Sequence, residues 1–137
     1  MKSRIKLPEK SLIIGYMISD DNIENLKTIA SLSGSEIKFT GMESAADKVG
    51  YLAGFSGFEK SDAVVENPPS DEVLILSGFN NKSMDRLLTL LRKYNTAIPL
   101  KCIVTQHNQS WELYKLIDEL KKEHAQMKNN NRYEKSY

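Results

Sequence analysis

Only one cysteine, Cys102, occurs in the chain, so no intramolecular disulfide and no cysteine-based zinc site can form. A reducing compartment, the cytoplasm, is the natural expectation. Charge of one sign is lacking too: the formal net charge is +1, and no overall field draws the chain to nucleic acid or to an anionic membrane. Long apolar runs are missing, and no stretch approaches the roughly 20 residues needed to span a bilayer. The start MKSRIKLPEKSLIIGYMI imitates a signal peptide only faintly, because its apolar run is short, is broken by Gly15 and leads into Asp20 and Asp21 without a small-residue cleavage site. Neither GxGxxG nor GxxxxGK[ST] follows an apolar strand, so no nucleotide cofactor is expected, and none of any other kind.

What remains is the composition of an ordinary globular domain. The 137 residues are 40% hydrophobic and 27% charged, enough to bury one continuous core unaided. Residues 11–127 read as a single domain. Before it lies a basic leader, 1–10, with Lys2, Arg4, Lys6 and Lys10; after it a polar tail, 128–137, has neither apolar stripe nor cap and is expected to be disordered.

Two continuous apolar runs, Leu12 to Ile18 and Val73 to Leu76, predict strands covered on both faces. Two mixed runs, Ser35 to Thr40 and Leu100 to Thr105, carry Lys38 and Lys101 among apolar residues and predict edge strands. Between the members of each pair lies a helix. The first starts at Asp20 and Asp21, presents Ile23, Leu26, Ile29 and Ala30 inward and stops at Gly34. The second is capped by Asn80, Asn81 or Ser83 and carries the stripe Met84, Leu87, Leu88, Leu91 and Tyr94, with Asn95 as its stop. A short helix after Ser44 uses Ala45, Ala46, Val49 and Leu52 and ends near Gly54. A last helix follows Trp111, with Leu113, Leu116, Ile117, Leu120 and Met127 on its inner side. Between Phe55 and Asp71 periodicity vanishes, and Gly57, Pro68 and Pro69 punctuate a long irregular connection.

The halves echo each other about sixty-two positions apart, Leu26 falling opposite Leu88 and Ile29 opposite Leu91. Strand-helix alternation predicts an α/β fold with a four-stranded, mainly parallel sheet in the order 2-1-3-4 and helices on both faces. In that order a crevice is expected at the carboxyl ends of strands 1 and 3, lined by Ser19 to Asp21 and Ser77 to Asn81, with Thr105 to Ser110 close by.

The residues proposed for ligand binding are therefore Ser77, Gly78, Phe79, Asn80, Thr105, His107, Asn108 and Trp111, whose aromatic and amide groups suit a small polar ligand or a peptide. The competing reading makes Asn80 and Asn108 caps and lets Phe79 and Trp111 close the core. Phosphate is disfavoured, since Asp20 and Asp21 occupy its place beside the helix amides. Cys102 and His107 lack a third group to orient the imidazole, so thiol catalysis is not expected. Asp20, Asp21, His107 and Asn108 lack metal-ligand spacing, and no metal is expected.

The pattern VLILSGF, a leucine-rich helix, then IPLKCIVTQHNQSW and ELYKLIDELKKEH resembles a family of small bacterial proteins known as a domain of unknown function, over Val73 to His124, with GYLAGF a weaker match. Where that family favours a proline after the strand-4 threonine, this chain has Gln106. The resemblance implies a small cytoplasmic bacterial protein and supplies no activity, cofactor or catalytic residue. The function expected is that of a non-enzymatic ligand- or peptide-binding module using the carboxyl edge of the sheet. Two alternatives stand beside it: an interaction module or homodimer working through an edge strand or helix face, and a small enzyme using the same crevice.

Overall fold

Apolar side chains on both faces of a strand must be covered twice, and the sheet is built on that demand. In the computed structural model, which describes the backbone of residues 10–135 and the side chains of 10–127, the strands are β1 (Leu12–Tyr16), β2 (Glu36–Thr40), β3 (Val73–Ser77) and β4 (Leu100–Ile103). Their order is β2-β1-β3-β4, with the two continuous runs inside and the two lysine-bearing strands at the edges, as expected. All five residues of β3 are buried.

The helices are α1 (Asp20–Ser33), α2 (Val49–Leu52), α3 (Asn81–Lys93) and α4 (Leu113–Lys135). On one face α1 and α3 bring Leu26, Ile29, Leu87 and Leu91 onto Ile13, Leu74 and Leu76. On the other, α2 and α4 bring Val49, Leu52, Leu113 and Ile117 onto Ile14, Tyr16, Val73 and Ile75. The alternation of odd and even positions along β1 sorts its side chains between these two clusters. Helix α4 is continuous to Lys135, past Lys128 where the sequence reading ends the domain, while residues 1–9 of the leader and 136–137 lie outside the described residues.

One expectation about the sheet is corrected. Strand β1 runs parallel to β2 and β3 parallel to β4, but β1 and β3 are antiparallel, with Ile14 opposite Ile75. The carboxyl ends of β1 and β3 therefore lie on opposite rims, and the single crevice between Ser19–Asp21 and Ser77–Asn81 does not form. The cause is the connection between β2 and β3. Helix α2 has only four residues, about 6 Å of rise, against the roughly 17 Å of a five-residue strand. It cannot carry the chain across the sheet, and the irregular stretch after it returns to the rim it left.

The result is two β-α-β units related by an approximate twofold axis through the β1–β3 pair. Buried Leu26, Ile29 and Ala30 of α1 correspond to buried Leu87, Leu90 and Leu91 of α3, each 61 positions on, one fewer than the echo in the sequence suggested. Gly34 and Asn95 share the left-handed conformation (φ 73° and 54°), as do Met17 and Gly78 (φ 54° and 80°). Ser35 N–H donates to Ala30 O and Thr96 N–H to Leu91 O, at 2.9 and 2.8 Å. After the second strand of each unit the offset becomes 64. Lys48 and Glu112 form an antiparallel bridge, flanked by Val49 N–H to Trp111 O and Leu113 N–H to Asp47 O, both 2.9 Å. These paired bonds tie the units together above the axis.

Candidate functional site

Three places on this frame offer chemistry: the rim where β3 and β4 end, the opposite rim where β1 and β2 end, and the free edge of β4. The first holds the residues selected from sequence. Ser77, Gly78, Phe79 and Asn80 leave β3, and Thr105, His107, Asn108 and Trp111 follow β4, so parallel pairing brings both groups to one rim. Their polar atoms are largely committed. Asn80 Oδ1 accepts from Ser83 N–H (2.8 Å) while Ser83 Oγ accepts from Asn80 N–H (2.9 Å), a reciprocal cap on α3. Asn108 is buried; its Oδ1 accepts from Thr105 N–H (2.9 Å), its Nδ2 donates to Ile103 O (3.1 Å), and Thr105 Oγ1 accepts from Asn108 N–H (3.1 Å). Ser77 is buried, Phe79 and Trp111 pack against the two core clusters, and exposed His107 meets the Trp111 ring edge at 5.8 Å. The amides hold turns, which is the competing role the sequence allowed for them.

Cys102 is half-buried. Burial and the Glu123 charge push its thiol up, against a lowering contact from Asn108, so it is a protonated packing group rather than a nucleophile.

At the opposite rim an open cleft of about 650 Å³ is lined by Met17, Ser19, Asp20, Phe39, Thr40 and Glu43. Its helix amides are already answered from across the sheet: Glu72 Oε2 accepts from Ser19 N–H (2.8 Å) and from Asn22 Nδ2 (3.0 Å). Nearby, Tyr16 is fully buried and its hydroxyl donates to Pro69 O at 2.6 Å. Burial, then the charges of Glu43 and Asp71, hold that hydroxyl up at about 12. Asp47, also buried, accepts from Ser61 N–H (2.8 Å) and Lys60 Nζ (3.3 Å). These bonds pin the two ends of the irregular segment 55–71.

The free edge of β4 is built differently. Val104 N–H donates to Leu76 O (2.8 Å), so even-numbered amides beside it turn toward β3, and those of Lys101 and Ile103 turn outward. On the α3 side a groove of about 350 Å³ is lined by Leu88, Leu91, Arg92, Pro99 and Lys101. On the α4 side a smaller one, about 100 Å³, is bounded by Leu100, Leu120, Glu123, His124 and Met127. A third hollow of about 370 Å³ continues past Asp71, Glu72 and Lys121. Lys101 reaches Ile98 O (2.6 Å), and burial pulls its ammonium below the usual lysine range. The sequence marked β4 as an edge through Lys101; Arg92, Pro99 and Glu123 gave no separate signal, being ordinary surface residue types.

Among the described residues, no three His, Cys, Asp or Glu side chains gather as a metal site, and no helix is long and apolar enough to cross a membrane. Comparison with curated proteins and with solved structures finds no match. The match that exists falls on the second β-α-β unit and α4 alone: residues 72–127 match the family model of DUF3783, a domain of unknown function.

Proposed function

We propose that the protein is a non-enzymatic interaction module that receives an extended peptide segment alongside β4. The observation that carries this reading is a strand with outward-facing amides at Lys101 and Ile103 and a groove above and below it. An added strand gains main-chain hydrogen bonds from such an edge, and its alternate side chains enter the two grooves. Every residue bounding those two grooves lies within the stretch 72–127. With one thiol and no disulfide to make, the module suits a reducing compartment, the bacterial cytoplasm that the family resemblance implies.

The test uses isotope-labelled full-length protein and a panel of eight-residue valine- and threonine-rich peptides that differ in charge. Amide shifts centred on Lys101 and Ile103, spreading to Leu88 and Leu120, are expected. Shifts confined to β2 or to the Asn80 and Asn108 rim, or none with any peptide, would sink the reading. Lys101→Pro removes one outward amide while leaving the pairing to β3, and it should abolish the response in a protein that still melts cooperatively.

A further inference from the structure

The irregular segment 55–71 supplies an occupant for that edge. Its ends are fastened at Ser61, through Asp47, and at Pro69, through Tyr16, while Asp62, Ala63, Val64 and Glu66 between them are exposed. Val64 is 89% exposed, an unusual place for a β-branched apolar side chain. Residues 61–65 have no assigned secondary structure or strand partner. In an extended conformation Asp62, Val64 and Glu66 point to one side and Ala63 and Val65 to the other. The first set is acid, apolar, acid; the α3-side groove offers Lys101 and Arg92 around Leu88 and Leu91, with no carboxylate in its lining. The second set is small and apolar; the α4-side groove is narrow and includes Leu120 and Met127.

We infer that the β4 groove takes residues 62–66 of a second copy of this chain as an added strand. This rests on the proposal that β4 is a strand-accepting edge, and it names the partner. Pairing β4 with the β4 of another copy is the poorer solution, because it brings two sets of Lys101 and Arg92 together. Segment and groove are different surfaces, so the contact is head-to-tail.

The experiment is sedimentation of the full chain over a concentration series, with and without a synthetic peptide spanning Glu59 to Asn67. Mass should rise with concentration, fall with added salt and fall again when the peptide is present. Asp62→Lys with Glu66→Lys, or Arg92→Glu with Lys101→Glu, should each weaken association about tenfold, and the four changes together should restore it. Arg92→Glu alone, at an exposed position, serves if the Lys101 change lowers folding. A chain that stays monomeric to about millimolar concentration, or association indifferent to the Asp62 and Glu66 changes, overturns the inference. If other peptides of the panel still shift Lys101 and Ile103, the accepting edge stands and only its occupant was misassigned; if none does, both fall.

Discussion

The two β-α-β units are twins up to the middle of their last helices, and they differ in what happens next. In the first, α2 ends at Leu52 and an irregular segment takes over. In the second, the corresponding helix begins at Leu113 and runs on, laying Leu120, Glu123 and Met127 beside β4. A second difference lies earlier: the link from α3 to β4 is longer than that from α1 to β2, and Thr96 to Pro99 lines the α3-side groove. Both departures fall on one sheet edge. Shared geometry thus builds the core, and the unshared pieces build the candidate interface.

The largest test of that division removes matched core residues. Leu26→Ala and Leu87→Ala, both fully buried, should each cost about 3 kcal/mol in denaturant unfolding. Each variant should unfold in one transition; two separated transitions would show that the units are independently stable. Next, Asp47→Ala should cost about 2 kcal/mol by orphaning Ser61 N–H. It should also speed proteolysis within 55–71, whereas Asn108→Ala at the other rim should leave that segment as resistant as before.

A smaller effect is expected from Tyr16→Phe, about 1 kcal/mol near neutral pH through loss of the bond to Pro69. The sign of its pH dependence follows from the raised hydroxyl. Below pH 10 folded and unfolded chains both hold the proton; between 10 and about 12 only the folded chain does, so stability falls with rising pH, by about 2 to 3 kcal/mol in all. Thermal melts of the phenylalanine variant should lose that alkaline limb. Smallest of all, Asn95→Gly copies Gly34 into the second unit and should stabilise it by less than about 1 kcal/mol.

Strand order and the two covered faces were legible in the sequence because burial writes itself as composition. The runs at Ile13–Ile14 and Val73–Leu76 have no polar face, while Lys38 and Lys101 mark edges. The helix stops at Gly34 and Asn95 were legible for the same local reason. Strand direction was not. Ala45, Ala46, Val49 and Leu52 keep helical spacing, yet only Val49–Leu52 is helical, and it is this brevity that reverses β3 relative to β1. The candidate site was read one step off: the Asn80 and Asn108 amides were seen, but their bonds close turns, and the grooves use residues brought together only by packing. The stripe predicted for α3 omitted Leu90, whose twin Ile29 was identified correctly.

The bridge at Lys48 and Glu112 and the β1–β3 ladder bear on how the chain assembles. Within each unit the paired strands are close in sequence, Leu12 with Glu36 and Val73 with Leu100, whereas Leu12 meets Ser77 and Tyr16 meets Val73 only across the whole intervening unit. Loop closure favours the short ladders. Folding should therefore resemble the meeting of two preformed partners that happen to share a tether: substitutions at Ile14 and Ile75 should chiefly speed unfolding, and those at Leu26 and Leu87 should slow folding.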